Sequence, residues 1–166
     1  CLAMEHGYNV ICEKPAARTY AEALTMQQAQ HETGLTLNIG VVNRFNTAVN
    51  EIKKLIDAGE LGEVYHIYVS FRAHRSILID WGVHYLDIVM YCMGDPAPLT
   101  VSGKAFSKLG VDMKNYVYES MWAENTKNLD GTYDVDDSVT AFVRTEGPTI
   151  TLNGAWAQNI GPSETY

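Results

Sequence analysis

The chain has 166 residues, 46% of them hydrophobic and 19% charged, which supplies enough apolar surface for a packed core and excludes an intrinsically disordered chain. Twelve Lys and Arg against twenty Asp and Glu leave a net charge of -8 with no dense basic run, so neither nucleic acid nor an anionic membrane is expected as a partner and a neutral small molecule suits the surface better. No stretch is apolar for long enough to cross a bilayer. Cys1, Cys12 and Cys92, odd in number and without CxxC spacing, read as buried reduced thiols of a cytoplasmic protein rather than as a disulfide framework or zinc site.

The chain opens without Met on Cys1-Leu2-Ala3-Met4-Glu5-His6-Gly7, in the manner of a helix ended by glycine, and stops at Tyr166 soon after a strand-like run. Both ends read as cuts in a longer protein. Asn9 to Cys12 is a short apolar run that suits a buried parallel strand, closed by Pro15. Thr19 is a plausible N-cap for a helix over Tyr20 to Glu32 that ends at Gly34, and Leu35 to Gly40 is again strand-like. This alternation predicts a crossover unit in a parallel sheet, with ligands at the carboxyl ends of its strands. Glu13-Lys14-Pro15 and Asn43-Arg44-Phe45 both fall at that rim.

Asn46 or Thr47 can cap a helix whose apolar positions Val49, Ile52, Leu55 and Ile56 share one face, with Gly59 ending it. Val64 to Ala73 alternates as a strand does, and Ile77 to Cys92 reads as a strongly apolar helix stopped by Gly94 and Pro96. Thr100 to Phe106, Ser138 to Arg144 and Thr149 to Trp156 read as strands, the last two linked as a hairpin through Glu146-Gly147-Pro148. The change from alternating elements to consecutive strands places a domain boundary near Val42, dividing the chain into residues 1–41 and 42–166, the second part built on a mainly antiparallel sheet.

Chemistry-bearing residues concentrate in Asp80-Trp81-Gly82-Val83-His84-Tyr85-Leu86-Asp87. At about 100° per residue in a helix, Asp80, His84 and Asp87 fall on one face. A histidine titrates near neutrality, and a carboxylate one turn away can fix its tautomer, which suits a general base. The alternatives are a helix whose polar groups satisfy neighbouring backbone and, ranked lowest, a metal site. Lys14, between an acid and a proline at a strand tip, can hydrogen-bond a substrate oxygen or shift a neighbour's titration; its bland alternative is a solvated lysine paired with Glu13. Arg44 and Arg72 are candidates for cofactor or hydroxyl contacts, although such arginines are more often surface residues. Trp81, Trp122 and Trp156 can wall a sugar ring, with core packing the commoner use for at least two of them.

Taken together and in this order, Glu13-Lys14-Pro15, Asn43-Arg44-Phe45, Lys54 to Val64, Asp80-x-x-x-His84-x-x-Asp87, Val135-Asp136-Asp137-Ser138 and Gly154-Ala155-Trp156-Ala157 resemble the glucose-fructose oxidoreductase, inositol dehydrogenase and rhizopine catabolism family, Gfo/Idh/MocA. The resemblance implies the end of a Rossmann-type dinucleotide-binding domain followed by part of an α/β substrate domain with a large open sheet, through which members commonly form a homodimer or homotetramer. It implies NAD or NADP as cofactor and a sugar or polyol as substrate. Glu13, Lys14, Pro15 and Arg44 are then cofactor contacts, and Lys14, Arg72, Asp80, His84 and Trp122 substrate contacts. His84 removes the hydroxyl proton as hydride leaves, Lys14 assists, and Asp80 orients His84 or binds a neighbouring hydroxyl.

Two departures stand against the family pattern. The glycine-rich phosphate loop is absent from this chain, so nothing here separates NAD from NADP. Family members also carry a longer segment before the helix, where Arg75-Ser76 here runs directly into Ile77, which reads as a deletion or as the omission of a mobile active-site loop, with omission favoured. The expected activity is oxidation of a ring hydroxyl of a sugar, glycoside or cyclitol, or its reverse. The rival readings are a glycosidase of the same fold that recycles NAD and a regulator that senses a sugar or dinucleotide without catalysis. Trp122, Asn125 and Lys127, between Tyr116 and Asp134, are expected near the substrate.

Overall fold

A computed structural model of the chain describes residues 1–73, 76–107 and 136–155, together with the backbone of two short strands at 117–118 and 126–127. At its start, α1 (Leu2–Glu5) lies against α2 (Tyr20–Thr33) and buries Met4. Strands β1 (Val10–Cys12) and β2 (Leu37–Ile39) pair in parallel, Val10 opposite Leu37 and Cys12 opposite Ile39, and α2 is the crossover that parallel neighbours require. Thr19 caps α2 by accepting the Glu22 N–H at 3.2 Å, and Gly34 ends it at φ 65°, a left-handed conformation that a side chain would strain.

After β2 the chain makes a 3-10 turn over Val42–Phe45 and enters α3 (Thr47–Asp57). Asn46 caps α3 by accepting the N–H groups of Ala48 and Val49. The second sheet comprises β3 (His66–Arg72), β4 (Pro98–Phe106), β7 (Ser138–Thr145) and β8 (Thr149–Ala155) in the order β3-β8-β7-β4. The small strands β5 (Val117–Tyr118) and β6 (Thr126–Lys127) pair with each other. In the second sheet β4 and β8 each run antiparallel to β7, while β3 runs parallel to β8, so the sheet is mixed and mainly antiparallel.

The 16 residues expected as one α-helix form two segments, a π-helical stretch at Ile77–Gly82 and α4 at Val83–Cys92. Together they cover one face of the sheet. Phe71 of β3, Val139 of β7 and Leu152 of β8 pack with Ile77, flanked by Leu78, Trp81, Tyr85 and Leu86, while Val143 and Ile150 pack with Val89. The Phe71 ring stacks on Tyr85 with centroids 4.5 Å apart. Gly154 makes room for this layer, since a β-carbon there would stand 2.7 Å from Ile77 Cγ2 and collide with the Phe71 ring.

Asp136, at the entry to β7, anchors the start of the π-helical stretch. Its Oδ1 accepts the Ser76 hydroxyl at 2.6 Å, its Oδ2 accepts the Leu78 N–H at 2.7 Å, and its carbonyl accepts the Ile77 N–H. Two first-turn N–H groups without intrahelical partners are thus satisfied from the sheet. The expectation of three buried thiols is corrected: Cys92 is buried, Cys12 half-buried and Cys1 exposed. Among the described residues no helix is long and apolar enough to cross a membrane.

Candidate active site

β1 ends at Cys12, and the next residues, Glu13-Lys14-Pro15 with a cis Lys14–Pro15 peptide, turn at the carboxyl edge of the parallel pair. From there Lys14 reaches the π-helical stretch. Its Nζ donates to Asp80 Oδ1 at 2.6 Å and to the Asp80 carbonyl at 2.9 Å, and both side chains are 19% exposed. A short charge-assisted bond at the edge of solvent is stronger than a neutral one and fixes both partners. Lys14 is therefore paired with Asp80, 66 residues away, rather than with its neighbour Glu13.

His84 stands in the first turn of α4, half-buried. Its Nδ1 meets the side-chain amide of Asn43, on the 3-10 turn, at 3.3 Å. A carboxylate one helical turn away was the expected partner; the structure supplies an asparagine from another element. Burial, followed by the nearby Lys14 ammonium, pushes the His84 imidazole below the usual histidine range, against the opposing pull of Asp80, Asp87 and Glu13. This shift favours the uncharged ring, which has a lone pair to offer.

Asp87 shares the helix face with His84 but is claimed by Arg44. The Arg44 Nε donates to both Asp87 carboxylate oxygens at 3.0 Å and its Nη2 to Oδ1 at 2.6 Å, while Nη1 and Nη2 also hold Asp95 at 3.0 and 2.9 Å. Asp87 first, and then Asp95, keep this guanidinium charged against its partial burial. The guanidinium also lies over the Tyr91 ring at 5.2 Å, and Tyr91 donates to Asn50, whose amide donates in turn to the Arg44 carbonyl. These contacts occupy the fork that a cofactor contact would need. The structure gives Arg44 the task of locking the 3-10 turn onto α4.

Of the other candidates, Glu13 and Pro15 are exposed at the β1 edge, and Glu13 lies beside Gly40, where a β-carbon would stand 3.2 Å from Glu13 Oε2. Arg72 is exposed at the end of β3 and, by strand alternation, leaves the face opposite to Phe71 and the helical layer, so it is not brought to His84. Trp81 packs on the Phe71 cluster, and its indole N–H is buried with no hydrogen-bond partner among the described residues. Trp122, Asn125, Trp156 and the side chain of Lys127 lie outside the described residues. Within the described residues no three His, Cys, Asp or Glu side chains are grouped to hold a metal ion. Sequence reading placed Asn43 at the right rim without giving it a role. The missing signal was the 3-10 turn that aims its amide at His84.

With this geometry in hand, the relatives are informative. A family model described as the GFO/IDH/MocA C-terminal domain matches residues 49–166. The chain belongs to the Gfo/Idh/MocA family. Among curated Gfo/Idh/MocA-like relatives it is 29% identical over 178 residues to the D-glucoside 3-dehydrogenase of Escherichia coli strain K12, covering 96% of this chain and 48% of that protein. It is 30% identical over 104 residues to the scyllo-inositol 2-dehydrogenase (NAD(+)) of Bacillus subtilis strain 168, covering 55% of this chain and 30% of that one. The chain thus spans about half the length of the first relative it matches. Among solved structures, the inositol dehydrogenase homolog of Azotobacter vinelandii, complexed with NADH and myo-inositol, superposes with a TM-score of 0.71 at 17% identity, over 96% of this chain and 41% of that one, and it shares the fold.

Proposed function

We propose that this chain is the portion of an NAD(P)-dependent oxidoreductase that carries its acid–base centre, transferring hydride between a secondary hydroxyl of a sugar, glycoside or cyclitol and nicotinamide. In this reading residues 1–41 end the dinucleotide-binding domain and residues 42–166 begin the substrate and oligomerisation domain. The observation that carries it is the meeting of Lys14, Asp80 and a neutral, half-buried His84 at one strand edge.

The fit to a dinucleotide is partial. Glu13, Lys14 and Pro15 stand at the carboxyl edge of a parallel strand pair, where α/β sheets bind ligands, and an ammonium there suits a ribose hydroxyl. The chain has no glycine-rich phosphate loop, so these residues would hold the nicotinamide end alone. When bound, the cofactor supplies the hydride acceptor.

The protein's own part is proton management and orientation. A carbinol carbon releases hydride readily only as its oxygen loses a proton, so a neutral imidazole beside that oxygen lowers the barrier. Lys14, held by Asp80, presents a fixed positive charge that favours the developing alkoxide. In the reverse direction the imidazolium returns the proton.

The test is formation of reduced nicotinamide by the full-length protein against a panel of sugars, glycosides and inositols, beside a His84→Ala variant. A rate that falls by on the order of 10²-fold or more in the variant, with cofactor affinity kept, is the expected result. No turnover across the panel while a sugar or dinucleotide still binds would sink the dehydrogenase reading.

A further inference from the structure

His84 has two ring nitrogens and one of them is engaged. Nδ1 faces the Asn43 amide at 3.3 Å, and among the described residues Nε2 has no hydrogen-bond partner. The amide itself makes no other hydrogen bond among the described residues, so His84 alone decides which of its ends points inward. Asn43 is half-buried on the 3-10 turn, whose position on α4 is fixed by the Arg44 fork to Asp87.

We propose that Asn43 is a positioning residue for His84, holding Nδ1 with its side-chain amide so that Nε2 is the nitrogen that exchanges a proton with the substrate hydroxyl. This rests on the reading of His84 as the base. With Nδ2 toward the ring, the amide donates to the Nδ1 lone pair and the ring proton sits on Nε2. Rotating the amide by half a turn puts Oδ1 there to accept Nδ1–H, which frees the Nε2 lone pair. The two ends have the same shape, so this exchange leaves packing unchanged and serves both tautomers. An aspartate could not do so, because a carboxylate only accepts and would stabilise the imidazolium.

The neutrality of Asn43 therefore has a consequence for titration. The charged groups acting on His84 are Lys14 from the β1 edge, Asp80 and Asp87 from its own helical segments and Glu13 beside Lys14, and none of them is on the 3-10 turn. Asn43 contacts the ring without adding a charge, which preserves the neutral base.

The experiment uses the full-length protein with 13Cε1-labelled histidine, following the His84 titration by NMR, assigned with His84→Gln, and the pH dependence of kcat/KM. Asn43→Asp is expected to raise the His84 midpoint by about 1 unit or more, with the acid limb of the rate profile following it upward. Asn43→Leu is expected to lower kcat on the order of tenfold or more with KM little changed, since a freely turning ring is misaligned. An unchanged His84 midpoint in Asn43→Asp, in protein whose unfolding transition is intact, overturns the proposal. A shifted midpoint that the rate profile ignores supports the Asn43–His84 coupling and refutes instead the reading of His84 as the base.

Discussion

Replacing Lys14 by Met tests the electrostatics of the centre most directly, because it keeps the unbranched stem and removes the ammonium that lies 2.6 Å from Asp80 Oδ1. Lys14 is the second cause, after burial, of the lowered His84 titration, and Asp80 acts the other way. Without Lys14 only burial opposes the pull of Asp80. A charge of this kind within a few ångströms moves a titration by about 1 to 3 units, and partial exposure favours the lower end, so we expect an upward shift of about 1 unit, equivalent to about 1.4 kcal/mol. In the oxidation direction the neutral ring is the active form, so the acid limb of kcat/KM moves to higher pH in Lys14→Met. The plateau also falls, on the order of 10²-fold, because the alkoxide loses its cation. Stability gives an independent check. A histidine whose folded pKa is depressed contributes stability that is present above its unfolded value of about 6.5 and is lost as pH falls through the folded value. Raising the folded pKa narrows that window, so Lys14→Met should unfold less steeply with acid over this range. The assay is the kcat/KM profile of the full-length protein at saturating cofactor, paired with urea unfolding at several pH values. An acid limb that stays in place or moves to lower pH refutes the reasoning.

Two further substitutions probe how the site is held. Arg44→Lys keeps the charge and loses the fork that joins Asp87, whose side chain is 15% exposed, to Asp95; we expect a loss of about 1 to 3 kcal/mol in urea unfolding, and an unchanged midpoint would show that the fork contributes nothing a point charge cannot. Asp136→Ala removes the acceptor for Ser76 and Leu78 at the start of the π-helical stretch; unfolding should cost about 1 to 2 kcal/mol less, and kcat should fall more than KM rises because Asp80 is four residues from the lost anchor.

Much of the frame was legible because local rules agreed with the tertiary structure. Thr19, Gly34 and Asn46 mark helix ends by capping chemistry that operates within a few residues, and each does so in the structure. The strands of the second sheet were legible from alternation, and the hairpin of β7 and β8 from its Gly-Pro turn. What failed were inferences about a partner. The apolar run from Ile77 suggests one continuous helix, yet its first turn is π-helical and held by Asp136, about 58 residues further on in sequence. Helical spacing put Asp80, His84 and Asp87 on one face but could not say that Lys14, Asn43 and Arg44 would each claim one of them. Nor could alternation alone tell which face of β3 the helices would cover, and hence that Arg72 would leave on the far side.

The arrangement explains why a base can sit beside a lysine and three carboxylates and still be neutral. Lys14 and Asp80 form a close pair, and from the imidazole's distance their opposite charges largely cancel, leaving a dipole in place of a net field. Arg44 does the same for Asp87, whose carboxylate would otherwise favour the imidazolium. With the charges paired off, desolvation becomes the leading influence on His84, as its lowered titration reflects. It follows that removing either cation should raise the His84 titration, Lys14 more than Arg44, whereas removing Asp80 and Lys14 together should move it less than removing Lys14 alone. The pairing therefore allows one fixed imidazole to take a proton near neutral pH while Lys14 keeps its charge for the substrate oxygen.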